Sequence, residues 1–372
     1  MSKRADILLV GQTPPPLHGQ AVITAMLFEH DWPEMNVERL RMAFSDDVES
    51  VGEASWIKVW KLFCLIIATW KMVIKCRPKV LYYLPASPNM TPVIRDVIYL
   101  LCVRWLFPKT IFHYHAGGLG QFVGQKKIIK QLGGIVYGKA DCSIDVNITT
   151  PPSGEWFSAR ENRVVMNGLD VGSAQRLRPK DSTLRLLYVG MLCEEKGVLN
   201  LIELAKILQE QGHAVEFQMV GGWESAEIKL QFEKDSQEAE VLGMFQFTGP
   251  LSGDAKWQAY ADTDIFLFPT HHPTETFGLV LIEAMAFGLP IVTNRWRGVP
   301  HVIGDSGCAE MCEVHCMESF SSSVKKLIGA PQLRISMGKA GVQHYQQNFT
   351  KEVFLSRMEK VFRDTLHNIV ES

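Results

Sequence analysis

Short, nearly continuous apolar runs recur along this chain, each closing on glycine, proline or a polar turn. In the first half they are "DILLVG", "KVLYYLP", "TIFHYHA", "CSIDVN" and "RVVMNG". In the second half they are "LRLLYVG", "VEFQMVG", "MFQFTG", "DIFLFPT" and "PIVTN". Such runs, bounded by tight turns, predict buried β-strands. Between most of them the apolar positions change to helical spacing, as in "GVLNLIELAKILQEQG". Strands alternating with helices imply parallel sheets covered on both faces. The pattern occurs twice, separated by the polar stretch that opens "MNGLDVGSAQRLRPKDSTLRLLYVG". The expected fold class is therefore α/β, with two doubly wound Rossmann-like domains, residues 1–175 and 176–348. The charged amphipathic segment 349–372 is expected to form a C-terminal helix that crosses back to the first domain. Ligands of open α/β sheets sit beyond the carboxyl ends of the strands. Two such domains facing each other would form a cleft.

Composition agrees with a globular chain: 372 residues, 47% hydrophobic and 21% charged, enough for two domain cores. The eight cysteines follow no paired framework, which points to a reducing, cytoplasmic setting. Their tightest cluster, Cys308, Cys312 and Cys316 near His301 and His315, matches no standard zinc spacing and reads as small buried side chains. The apolar run Ile7 to Val10 is too short for a signal-peptide core, and no stretch reaches membrane-span length.

Charge changes the picture more. The chain totals −2, yet residues 54–140 hold thirteen Lys and Arg against one acid, Asp96, for about +12. The remainder is about −14. Within the basic window, Trp56, Trp60 and Trp70 stand beside Lys58, Lys61, Lys71 and Lys75, flanking an aliphatic centre. That is the composition of an interfacial helix, so we expect peripheral contact with an anionic membrane surface. No nucleic-acid motif accompanies the charge, and nucleic acid is not expected as a partner.

Candidate chemistry concentrates in "ETFGLVLIEAMAFGLP", Glu275 to Pro290. Two carboxylates stand in a stretch that otherwise reads as packing, and buried carboxylates need partners. Phe277 and Gly278 open a helix whose first amides lack internal partners and favour an anion such as a diphosphate. Glu283 lies about one turn further in, where a carboxylate accepts from sugar hydroxyls; Glu275 lies in the loop before. The plainer reading has Glu283 paired inside the protein and Glu275 in solvent.

These residues and others resemble glycosyltransferase family 4, retaining enzymes of the GT-B fold. Glu275, Glu283 and Gly288-Leu289-Pro290 match its paired glutamates and following Gly-Leu-Pro. "VMNGLD" resembles its junction motif, "YVGMLCEEKG" its phosphate loop, and "FQMVGG" and "FTGPL" its next strand ends. "FHYHAGGLG" and "PPPLHGQAVIT" resemble the segments that approach the donor sugar from the first domain. The resemblance implies transfer of a sugar from a nucleotide diphosphate donor to a hydroxyl acceptor, with retention and without a cofactor or metal. It implies Lys196 on the diphosphate, Glu283 on the ribose, and Glu275 on the transferred sugar with Thr276 and the amides of Phe277, Gly278 and Leu279. Gly190 and Leu251 would line the nucleotide, and His115, Gly19 and Gln20 would meet the donor from the first domain. His113 faces the same side as His115, which we favour because it adjoins Gly117-Gly118. Met191 departs from the family's arginine, leaving Arg295 or Arg297 to compensate, and Gly19-Gln20 replaces a pair of glycines. With the basic first domain, the acceptor is expected to be a lipid-linked or polysaccharide precursor at the cytoplasmic face of a membrane.

Asp262-Thr-Asp264 mimics a metal-binding Asp-x-Asp, but at a helix end rather than in a loop. "GGLGQFVG" imitates a dinucleotide fingerprint with its third glycine one residue late, and no P-loop is present. A GT-B sugar-nucleotide epimerase and a non-catalytic membrane-surface binding protein remain the alternatives.

Overall fold

The computed structural model describes residues 4–15, 18–44, 56–125, 127–148, 152–179 and 183–367. They form two compact units: the described residues up to Gly168 together with those from Lys351 onward, and Leu169 to Thr350.

The first unit has strands β1 (Ile7–Gly11), β2 (Val37–Arg41), β3 (Val80–Tyr83), β4 (Lys109–Tyr114), β5 (Cys142–Asp145) and β6 (Asn162–Val164). All pair in parallel, in the order β2-β1-β3-β4-β5-β6. Every residue of β1, β3, β4 and β5 is buried, which is why β1 and β3 read as unbroken runs rather than alternating ones. Helices α1 (Gly19–Glu29), α2 (Trp56–Cys76), α3 (Met90–Val103), α4 (Leu119–Gly124), α5 (Lys127–Val136) and α6 (Ser153–Trp156) complete its connections.

The second unit has β7 (Leu184–Val189), β8 (Val215–Val220), β9 (Phe245–Gly249), β10 (Ile265–Phe268), β11 (Ile291–Asn294) and β12 (Ala309–Cys312). Their order, β12-β11-β10-β7-β8-β9, is the Rossmann order, which reverses between β7 and β10. Its helices are α7 (Asn200–Glu210), α8 (Ala226–Glu238), α9 (Gly253–Ala261), α10 (Leu279–Ala286), α11 (Val299–Ile303), α12 (Met317–Gly329) and α13 (Pro331–Asn348). The last helix, α14 (Lys351–His367), packs on the first unit: Phe362 lies against Trp32 and Tyr82 at 5.0 and 5.3 Å. Arg163 also bonds Asp364 at 2.7 Å.

Two strands have no apolar run to predict them, β2 ("VERLR") and β12 ("AEMC"). Both are sheet edges with partly exposed residues, so neither carries a continuous apolar run. The units divide at Gly168, whereas the sequence reading placed the boundary near 175. The intervening residues are held by the second unit. Asp262 accepts from the amides of Leu177 and Arg178 at 2.7 and 3.0 Å. Asp264 pairs with Arg176 at 2.9 Å and accepts from the Arg185 amide at 2.8 Å. These two aspartates, weighed above as a metal mimic, thus pin the entering segment to the sheet.

Candidate active site

The switch point of the second sheet brings the predicted residues together. Lys196 follows β7 in a 3-10 turn, and Glu275 precedes α10, which follows β10. Their side chains form an ion pair, with Glu275 8% exposed. Gly197 allows the turn: its φ is +79°, and a Cβ there would lie 2.3 Å from the Pro269 carbonyl oxygen. The two loops are also joined directly, the His271 amide donating to the Glu195 carbonyl at 2.8 Å. From the other side Asn294 donates to the Pro269 carbonyl at 2.8 Å, and the Trp296 indole to the His272 carbonyl at 2.8 Å. The loop carrying Glu275 is therefore fixed by both neighbouring strands.

Gly278 caps α10 with φ +75°, a left-handed conformation that favours glycine. Phe277 is buried, and Thr276 and Leu279 are half-buried beside it. The amides opening α10 point out of its N-terminal end, carrying the positive end of the helix dipole. His272 sits near Lys196; burial first, then the Lys196 ammonium, lower its pKa. Gly190 closes β7 and Leu251 follows β9, both half-buried.

Glu283 is 3% exposed, and each of its oxygens has a partner inside the unit. Lys256 Nζ stands 2.5 Å from one, and Tyr260 donates to the other at 2.6 Å. Burial, reinforced by the Glu283 charge, pushes the Tyr260 phenol well above its usual range. Neither Lys256 nor Tyr260 figured in the sequence reading. Their i,i+4 spacing puts them on one face of α9, but so common a spacing does not identify a distant carboxylate. Glu275 is not in solvent, and Glu283 is paired internally.

Met191 is 41% exposed and places no cation in the β7 loop, whose shape is held by the Tyr188 hydroxyl on the Met191 carbonyl at 2.7 Å. Arg295 lies 3.7 Å from Glu313, and Arg297 lies over the Trp296 ring.

In the first unit, His115 stands just past β4 and Gly19 and Gln20 open α1. His18 caps α1, its Nδ1 accepting from the Ala21 amide at 3.3 Å. Burial, then the neighbouring His18, lower His115 to a pKa of about 3, so it is neutral at ordinary pH. His113 is fully buried within β4 and bonded to the Tyr82 hydroxyl at 2.7 Å, which gives it a packing role. Among the described residues, the His, Cys, Asp and Glu groups near enough to share a metal are Cys193, Glu195 and Glu224, not the Cys308–Cys316 cluster.

Two parallel six-stranded α/β units of this kind define the GT-B architecture of glycosyltransferases. Sucrose-phosphate synthase from Thermosynechococcus elongatus matches with a TM-score of 0.72 over 98% of this chain and 100% of that one, at 17% identity. HepE from Anabaena, solved with UDP and glucose, matches with a TM-score of 0.68 over 97% of this chain and 100% of its own, at 14% identity. Residues 173–344 match the family described as glycosyl transferases group 1, which bears out the resemblance read from the motifs. The capsular polysaccharide biosynthesis glycosyltransferase CapM of Staphylococcus aureus is 26% identical over 183 residues, 48% of this chain and 46% of CapM. The chain thus spans about half the length of that curated relative.

Proposed function

We propose that this protein is an enzyme that transfers a sugar from a nucleotide diphosphate sugar to a saccharide acceptor, with retention of anomeric configuration. The observation that carries the reading is the Lys196–Glu275 pair beside the α10 N-terminus at the switch point of a group 1 glycosyltransferase domain.

The chemistry follows from that geometry. A departing nucleoside diphosphate gathers negative charge on its phosphate oxygens. One ammonium group and a helix N-terminus stabilise that charge without a metal. Glu275 neutralises Lys196; an entering diphosphate takes over the ammonium and leaves Glu275 to accept from a sugar hydroxyl. Glu283 keeps Lys256 and Tyr260, and its remaining lone pairs accept from the ribose hydroxyls. The acceptor is a lipid-linked or polysaccharide precursor presented at a membrane surface. The basic, acid-poor stretch 54–140 and the polysaccharide role of CapM support this part.

A thermal-shift screen of UDP-, GDP- and dTDP-sugars tests the reading. A true donor at a hundred times its dissociation constant stabilises by about 2.7 kcal/mol. NMR of the product anomer then tests retention. No shift with any nucleotide sugar, in a protein shown to be folded, would sink the proposal.

A further inference from the structure

One face of α2 is buried, at Leu62, Leu65, Ile66, Thr69 and Cys76. A soluble amphipathic helix places polar residues opposite its buried face. This one carries a second apolar stripe instead: Trp56, Trp60, Phe63, Ile67, Trp70 and Ile74, at alternating spacings of four and three. Trp56 is 88% exposed, Ile74 77%, Trp60 65%, Phe63 51% and Trp70 46%. At roughly 1.5 Å per residue the stripe is about 27 Å long. The neighbouring α3 repeats the spacing in Ile94, Ile98 and Leu101, and Trp105 continues it just beyond the helix; all four are exposed. The helices are tied together on their exposed side, where the Trp70 indole donates to the Cys102 carbonyl at 3.0 Å. Beneath it the Thr69 and Tyr99 hydroxyls meet at 2.9 Å.

Among the described residues, charge on this face has one sign. The four lysines of α2 are accompanied by no acid on that helix, and Lys61, Lys71 and Lys75 fall on one flank of the stripe. The single acid of α3, Asp96, is fully buried and accepts from Arg95, Tyr83, Tyr137 and the Ala86 amide.

We propose that α2, α3 and Trp105 form a docking surface for an anionic lipid bilayer. On it α2 lies in the headgroup plane with its tryptophan stripe inserted and its lysine flank against lipid phosphates. Indoles and aliphatic side chains beside lysines are the chemistry of that boundary. The helix lies on the bilayer rather than crossing it: among the described residues no helix is long and apolar enough to span. The purpose of docking rests on the membrane-borne acceptor proposed above; the docking itself does not depend on sugar chemistry.

Co-sedimentation with vesicles of phosphatidylcholine, alone or mixed with phosphatidylglycerol, tests it at low and high salt. Binding to the mixed vesicles at low salt, falling as salt rises, is expected. The triple variant Trp56→Ser, Trp60→Ser, Ile74→Ser changes only exposed side chains and is expected to weaken partitioning about tenfold or more. The pair Lys71→Glu, Lys75→Glu is expected to weaken it by a similar factor. Both variants are expected to keep any thermal shift given by nucleotide sugars. The proposal is overturned if wild-type protein stays in the supernatant at low salt, or if both variants bind as well as wild type. It is equally overturned if the wild type is a dimer that the serine variant dissociates, because a second copy is then the occupant. Vesicle binding without a shift by any nucleotide sugar would leave the docking standing and remove the enzymatic reading.

Discussion

The two units share a six-stranded parallel sheet and differ in where they keep their charge. Around β3 and β4 the first buries neutral polar groups, His113, Tyr82 and Tyr83, and an ion pair, Asp96 with Arg95, closed inside the core by the hydroxyls of Tyr83 and Tyr137. Its positive charge is carried by lysines on helices such as α2. The second buries charge in two Lys–Glu pairs, Lys196–Glu275 in the loops after β7 and β10 and Lys256–Glu283 between α9 and α10. A buried ion pair is a weak source of stability, since desolvation offsets much of the attraction. In the function proposed above its value is exchange: an ammonium already held beside a carboxylate is positioned to take an incoming anion. The same layout thus carries the proposed anion site in one unit and an exterior basic apolar face in the other.

The sharpest break of this comparison is Lys196→Ala. If the interior charge serves the diphosphate, kcat/KM for sugar transfer is expected to fall about 100- to 1,000-fold. A variant that transfers sugar at nearly the wild-type rate would reduce the pair to packing. Next is Lys256→Ala, which leaves the Glu283 carboxylate buried with Tyr260 alone. The expected destabilisation is about 3–5 kcal/mol by denaturant unfolding, with hydrogen exchange rising first in the second unit. A loss under about 1 kcal/mol would show that water already serves Glu283.

Mild acid is expected to act on the other unit. His113 and His115 are held neutral when folded, His115 to about pH 3, but take up protons near pH 6.5 when unfolded. Their contribution is fully present above about pH 6.5. It is lost as pH falls below that value, by about 1.4 kcal/mol per pH unit for each histidine. Exchange protection in β4 should drop accordingly, and the double variant His113→Asn, His115→Asn should flatten that slope. The smallest effect concerns the boundary. Arg176→Ala is expected to cost about 1 kcal/mol, read as earlier proteolysis of residues 170–179 rather than of either sheet.

The central strands were legible because full burial on both sheet faces demands unbroken apolar runs, as in "ILLVG" and "IFLF". The edge strands β2 and β12 were not, since exposure relaxes that demand. Glu275 and Gly278 stood out against their apolar surroundings, and Lys196 through its place in a strand–turn motif. Lys256 and Tyr260 did not, because a lysine and a tyrosine one helical turn apart are ordinary on a polar helix.

By itself the sequence determined the two α/β units, the central strands, the loops that bear the chemistry and the basic, tryptophan-rich stretch. Local pattern suffices for these, since each follows from burial or composition within a short window. Only the tertiary structure decided that Glu275 meets Lys196 and that Glu283 meets Lys256 and Tyr260. It alone revealed that α2 keeps an apolar stripe outside. Pairing across 79 or 27 residues, and the face a helix turns to its sheet, depend on how the chain crosses over, which no window of sequence contains.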